Sequence, residues 1–410
     1  MRRDINIPMQ LSSDVLEASL LYLLPGDPNA QQVAQHIQSL CAALPGRGGS
    51  LPAEQTGLLA SKAFLYALSH VAQQHRSISI RRYAAACLRY VAMQRGLTRH
   101  QLENRLVPNC GLDGSVVFDY GPRRFSLALG SQHTPLVCIQ GGRFHTSLPR
   151  PRPNDDPALV ARAGELWRAH KRGLAESSRT QAARLEQAMI EGLRWSPTEF
   201  THDILGHPLM AQLGRRLIWA GYDAEGVLLE GFCLSDDRSL VSETYQAVGL
   251  DRYAAIGLPH PAGVAPERRL RWAELLGDFH IAPLFPQAGR PVYTLDQAEQ
   301  RAAAITRFQG ITLRWGAFQG ALSRRGWDFD PEHETASRLF EGARVAASIE
   351  IETQASAQRI TRCWFAYIAA DEDDLPIEEP CLSLCNVDSV VLSETLRDLT
   401  EIVANPKLLV

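Results

Sequence analysis

The chain has 410 residues and a mass of 45.3 kDa, with 45% hydrophobic and 21% charged residues, which is the balance of a globular protein and not of a disordered or fibrous one. Its length is enough for two or three domains. A formal net charge of −3 and a pI near 6.5 exclude the broad positive footprint that nucleic acid or an anionic membrane selects, leaving only local basic patches such as Arg268, Arg269 and Arg271.

The start Met1-Arg-Arg-Asp4 is not followed by an uninterrupted apolar segment with a small-residue cleavage site, so no secretory signal is expected. The apolar run Ala18 to Leu24 is far too short to span a bilayer. Eight cysteines, at 41, 87, 110, 138, 233, 363, 381 and 385, form no Cys-x-x-Cys pair, and no His stands at zinc-finger spacing from Cys381 and Cys385. The expectation is buried free thiols in a reducing cytoplasm.

In chain order, residues 11 to 104 read as a helical module. Ser12 or Ser13 with Asp14 can cap a helix through Leu24, and Gln31 to Leu44 forms a second. Gly46 to Ser50 is a flexible loop. Ala53 to Gln74 and Arg81 to Gln94 carry apolar residues at helical spacing, and Thr98 with Gln101 forms a capping box for a short helix ending before Pro108. At Gly111 the period switches to that of strands: Ser115 to Asp119, Phe125 to Leu129 and Leu136 to Ile139 read as a small meander. Leu148 to Pro153 is an extended linker, and Asn154 to Pro157 opens a long helix.

That helix runs into the stretch Arg184 to Tyr222, where Ser196-Pro-Thr-Glu199 is a second helix start and His207-Pro208 breaks and restarts the chain. Leu209, Leu213, Leu217 and Ile218 read as one apolar helix face. Phe232 to Leu234 is a strand, and Ala265 to Leu276 a helix with Leu270, Ala273 and Leu276 inward. Gln297 to Phe308 follows as a helix and Ile311 to Phe318 as a strand. Arg344 to Glu352 and Arg362 to Ile368 pair as strands, Asp371 to Asp374 is a solvated acidic loop, and Leu392 to Val403 is a closing helix.

A series of segments in fixed order resembles the bacterial MolR C-terminal domain family, a domain without assigned function. They include GLDG at 111–114, DYGPRRF at 119–125, NDDP at 154–157, RLEQAM at 184–189 and RW at 194–195. HPL at 207–209, RRLIW at 215–219, HP at 260–261, PLFPQ at 283–287, GW at 326–327 and SETLRDL at 393–399 continue it. The order of the segments across about residues 80 to 403, and no single one of them, carries the resemblance. It implies company: relatives carry WGR domains or helical repeats and are encoded beside MoxR-type AAA+ ATPases. No WGR module is present in this chain, whose first 80 residues read as helical.

Few residues suggest chemistry. His207 and His260, each before a proline, can act as a general acid/base pair or as metal ligands; the competing reading is a helix-boundary ring that satisfies backbone groups. No acidic or Cys partner stands at metal spacing, so no metal site is assigned. Arg194, Arg215 and Arg216 can gather around a phosphate or carboxylate, or pair with glutamates to fix packing. Trp195, Trp219, Trp272 and Trp327 read as core. Asp278, Gln287, Arg290 and Tyr293 fall in a Pro-rich loop that is either a binding pocket or a clamp. Ser393, Glu394, Arg397 and Asp398 sit at helix-pair spacing and read as surface or packing residues. The nucleophile elbow, Walker loop, dinucleotide fingerprint and His-Glu-x-x-His pattern are all absent.

The expectation is therefore an α+β protein: a helical module over 1–108, a β-meander and Pro-rich linker over 109–153, and a mixed core domain over 154–410. Its expected role is a regulatory or partner-binding component of a bacterial stress-response or defence assembly, with no cofactor assigned. By the resemblance, a MoxR-type AAA+ ATPase is the nominated partner; no membrane is involved, and the charge argues against nucleic acid. The alternative is an enzyme acting on an anionic group, with His207 or His260 as acid/base and Arg194, Arg215, Gln287, Arg290 and Tyr293 holding the anion.

Overall fold

The computed structural model describes residues 62–74, 78–130, 134–139, 142–235, 239–354, 357–368 and 381–409. The expected helices at 12–24 and 31–44, the loop at 46–50, Cys41 and the acidic run at 371–374 lie outside them. The chain divides into two compact units, residues 1–108 and 109–410, and the fold is α+β.

In the first unit, α1 (Lys62–Gln74), α2 (Ile78–Gln94) and α3 (Arg99–Leu106) enclose a core of Phe64, Leu68, Val71, Leu88, Val91 and Leu102. The capping box forms as the sequence requires: Gln101 N donates to Thr98 Oγ1 at 3.1 Å, and Thr98 N to Gln101 Oε1 at 2.8 Å. Glu103 is buried on α3 and accepts a 3.0 Å bond from Ser69 Oγ of α1, which fixes the pairing of the two helices.

The second unit begins with an antiparallel meander, β1 (Val117–Asp119), β2 (Arg124–Leu129), β3 (Pro135–Ile139) and β4 (Arg143–His145), of which the fourth strand was not expected. Its inner face packs on α4 (Pro157–Ile190) through an edge-on contact of Phe118 with Trp167 at 5.6 Å. Asp156 caps α4 by accepting from Ala158 N and Leu159 N, with Pro157 at the first position, where a missing N–H costs nothing.

A second sheet has the order β5 (Arg194–Trp195), β9 (Ala255–Gly257), β6 (Trp219–Tyr222), β7 (Leu228–Leu234) and β8 (Leu240–Ser242). The Ser196–Glu199 box caps only one turn, α5 (Pro197–Glu199), which passes into a π-helical segment, Phe200–Leu205. His207 then caps α6 (Pro208–Gly214). The helix ends there, so Leu217 and Ile218 are buried beyond it, in the turn and at the entry to β6, and do not extend its apolar face. Trp195, Trp219, Phe200, Phe232 and Tyr253 form a chain of ring contacts 4.8–6.1 Å apart, the aromatic core of this sheet.

Helix α7 (Pro266–Asp278) buries Trp272, Leu275 and Leu276. The expected inward face was rotated: Leu270 is 65% exposed and Ala273 is exposed too. Trp272 sets the phase, because its indole N–H bonds the buried Glu243 carboxylate and its ring must face the sheet. Residues 297–308 contain only one 3-10 turn, Glu299–Arg301, in place of a helix. There the buried Glu299 binds Asp296 N and Arg307, holding the segment as a loop.

The third sheet has the order β10 (Thr312–Arg314), β14 (Ala357–Tyr367), β13 (Val345–Gln354), β12 (Thr335–Phe340) and β11 (Asp328–Asp330). The β13–β14 pair stands where the strand pair was expected, but β14 begins at Ala357, five residues before the expected Arg362, and β11 and β12 were not foreseen. The expected strand 311–318 is only β10, followed by α8 (Ala317–Arg324). The closing helix α9 (Ser389–Val403) is buried on almost every side. The seven described cysteines are free, but only Cys87, Cys233 and Cys363 are buried; Cys110, Cys138 and Cys381 are half-buried and Cys385 is exposed.

Candidate functional site, a carboxylate hub on the closing helix

A helix buried all round is normally apolar. In α9 the residues Ser393, Glu394, Thr395 and Asp398 are inaccessible to solvent. A buried charge must be paired and hydrogen-bonded to be tolerated, and both acids meet that demand with partners distant in sequence.

Glu394 receives a guanidinium fork: Arg290 Nε donates to Oε1 and Nη2 to Oε2, both at 2.7 Å. His260 Nε2 stands 3.1 Å from Oε1, and Arg397 Nη2 lies 3.2 Å from Oε2. The remaining Arg290 nitrogen, Nη1, donates to Glu186 Oε1 of α4 at 2.6 Å. One turn further along α9, Asp398 accepts from Trp327 Nε1 at 2.9 Å and Arg338 Nη1 at 2.5 Å, with Arg325 and Arg397 each at 3.8 Å. The two carboxylates thereby join α4, the loop carrying Arg290, β12 and the turn between α8 and β11 to one helix.

The electrostatics follow from the contacts. Burial alone would raise the Glu394 carboxyl, but the hydrogen bonds from Arg290 and His260 and the Arg290 and Arg397 charges outweigh it, so the group is held well below the usual carboxylate range. Burial works against the Arg290 charge, yet the bonds to Glu394 and Glu186 raise its pKa. Burial lowers the His260 pKa, against the pull of Glu394, and the ring is neutral at pH 7. Its Nδ1 accepts from Ala262 N at 3.1 Å, so Nε2 carries the proton and donates it to Glu394. Both ring nitrogens are occupied.

The predicted site residues divide accordingly. His260 and Arg290 converge on Glu394. Tyr293 joins through its backbone, its N–H donating to Ser393 Oγ at 3.1 Å. Gln287 is buried beside β6, where its amide binds both backbone groups of Ile218, accepting at 2.9 Å and donating at 2.8 Å, and reaches Pro259 O at 3.3 Å. Arg216 donates to the carbonyls of Ala282 and Pro283. Of the two readings of this Pro-rich loop, the geometry is that of a clamp. His207 does not join the hub; its Nδ1 accepts from Met210 N at the start of α6. Arg194 lies 3.6 Å over the Tyr222 ring, where burial lowers its pKa, and Arg215 follows α6 directly as its C-terminal cap. Arg194 and Arg216 thus have different partners, an aromatic ring and two backbone carbonyls.

The sequence reading missed the hub carboxylates, which were assigned to surface or packing. The sequence pattern pointed the other way: six of the seven aliphatic residues in VVLSETLRDLTEIV fall on one side of the helix at about 100° per residue, which leaves Glu394 and Asp398 on the polar side, and only the packing of the chain buries that side too. Two other groups also went unforeseen. Exposed His202, in the π-helical segment, places Nδ1 2.7 Å from the buried carboxylate of Asp203. An open depression of about 560 Å³ beside the start of α7 is lined by Val227, Val264, Glu267, Arg268 and Arg271, and none of the predicted site residues borders it. Among the described residues no three His, Cys, Asp or Glu side chains are grouped to hold a metal ion, and no helix is long and apolar enough to cross a membrane.

Residues 142–327 match the model of a domain of unknown function, DUF4132. The match includes His260 and Arg290 and ends before α9, so the hub pairs residues inside it with Glu394 outside it. The chain is similar to the uncharacterized protein YehI of Escherichia coli (strain K12), with 31% identity over 268 residues, 64% of this chain and 22% of that protein. It therefore spans less than a quarter of the length of this curated relative. No solved structure matches it significantly.

Proposed function

We propose that this chain is a partner-binding component of a bacterial assembly, located in the cytoplasm, and that it acts through protein contacts. The observation that carries this reading is a cross-strand row on the outer face of the meander that ends in two exposed apolar side chains. Val117, Ser126, Cys138 and Phe144 are direct cross-strand neighbours and therefore share one face. The row crosses four strands, about 14 Å at the usual strand spacing, and ends in Val117, 44% exposed, and Phe144, 58% exposed. The opposite face is already occupied by α4. These two side chains offer a sheet face that a partner can cover. The resemblance to the MolR C-terminal family nominates a stress-response or defence assembly and a MoxR-type AAA+ ATPase as the partner.

The competing reading, an enzyme acting on an anionic group, is favoured by the convergence of His260 and Arg290. It meets a specific obstacle: the position an anion would take in the Arg290 fork is filled by the Glu394 carboxylate. The test is native mass spectrometry with metal analysis on protein purified from its own host, for the wild type and for Val117→Glu/Phe144→Glu. A co-purifying polypeptide lost in the variant is the expected result. A bound metal or small molecule without a polypeptide, or a partner retained by the variant, would overturn the proposal.

A further inference from the structure

The long helix α4 presents an exposed face unlike the rest of the chain. Arg168, Arg172 and Arg179 fall within about 40° of one another at 3.6 residues per turn, with Arg162 and Lys171 exposed on their two flanks, against exposed Glu165 and half-buried Glu176, so the segment 162–179 carries a net +3 within a chain of net −3. At 1.5 Å per residue, Arg162 to Arg179 spans about 26 Å, and Arg168 and Arg172 stand one turn apart. Arg168 Nε donates to the backbone carbonyl of Gly164, and Lys171 lies 5.8 Å from the Trp167 ring. None of the five cations forms an ion pair among the described residues. This differs from the arginines elsewhere in the same unit, such as Arg123, Arg290, Arg307 and Arg338, each of which is committed to a buried carboxylate.

The composition of the face between the cations indicates the kind of partner. Ala161, Ala169, Gly173 and Ala183 are exposed there, and no large hydrophobic residue of α4 is exposed. Protein–protein interfaces are built around buried aromatic or aliphatic anchors, and this face offers none. It offers guanidinium forks, four of the five cations being arginine, separated by side chains small enough for a polyanion to lie close. Guanidinium matches phosphate bidentately, and phosphate contacts need no apolar anchor. We propose that the solvent face of α4 binds the phosphate backbone of nucleic acid, without base specificity. The overall charge of −3 gave no sign of this, because most of the acidic residues lie on other elements.

The test is fluorescence anisotropy with a labelled 20-base-pair DNA duplex, titrated with the full chain between 25 and 200 mM NaCl. The same titration is made with Arg168→Glu/Arg172→Glu/Arg179→Glu, whose fold is checked by circular dichroism and thermal midpoint. Each phosphate neutralised contributes about −0.9 to the slope of log K against log salt, so three to four contacts give a slope of about −3. The expected result is binding with that slope, weakened at least tenfold in the variant at 50 mM NaCl. Absence of binding at 25 mM, a slope near zero, or a folded variant that binds like the wild type would overturn the proposal. Poly-glutamate displacing the duplex at equal charge concentration would also overturn it, by reassigning the face to an acidic protein.

Discussion

Replacing Glu394 with glutamine tests whether the hub holds the second unit together. The amide keeps the shape of the side chain but removes the charge and turns one of two acceptor oxygens into a donor facing Arg290 Nη2 or Nε. Removing one partner of a buried ion pair costs about 3–5 kcal/mol, because the other charge is left uncompensated. Here Arg290 retains Glu186, 2.6 Å away and partly exposed, so the low end, about 3 kcal/mol, is expected. All seven tryptophans lie beyond residue 108, so urea unfolding followed by tryptophan fluorescence reports this unit alone. The double variant Arg290→Met/Glu394→Met should cost less than the sum of its single changes, since each single change strands a charge that the double removes. A Glu394→Gln cost below about 1 kcal/mol, or additivity within about 0.5 kcal/mol, would refute the argument.

The same hub sets a pH dependence with one sign. The folded-state pKa of Glu394 is depressed, so its contribution is complete above the ordinary glutamate value of about 4.3 and is lost as pH falls below it. The His260 pKa is also depressed, so below about pH 6.5 the unfolded chain takes up a proton that the folded chain resists, and stability declines from there. Urea midpoints measured from pH 8 to pH 3 should fall in these two stages, and Glu394→Gln should flatten the lower one. Gln358 is fully buried on β14 with neither amide atom hydrogen-bonded. Gln358→Met should therefore raise stability by about 1–2 kcal/mol, seen as a higher thermal midpoint. A Cβ at Gly342 would stand 1.9 Å from the Glu191 carbonyl oxygen at the end of α4, a backbone atom that cannot swing aside. Gly342→Ala should destabilise by about 1–3 kcal/mol in the same urea assay, the usual cost of overpacking. Leu270→Glu, on the outer face of α7, should change the urea midpoint by no more than about 0.5 kcal/mol; a large loss would restore Leu270 to the core.

What the sequence determined by itself is local. The capping boxes at Thr98–Gln101 and Ser196–Glu199, the Asp156-Pro157 helix start and the His207-Pro208 restart all formed where they were read, because a cap needs only residues two or three positions apart. The buried tryptophans and the β13–β14 pair were legible for a related reason: aromatic bulk and alternating apolar residues have few alternatives to the core. Tertiary structure decided the rest. The phase of α7 followed from the Trp272–Glu243 contact across 29 residues, and periodicity alone had placed Leu270 inside. The helix expected over 297–308 gave way to a loop held by Glu299 and Arg307. The hub joins His260 and Glu394 across 134 residues and Arg290 and Glu394 across 104. No spacing rule reaches that far: whether a histidine, an arginine and a glutamate form a site or a brace depends on which partner is desolvated beside them, and only the packed chain determines that.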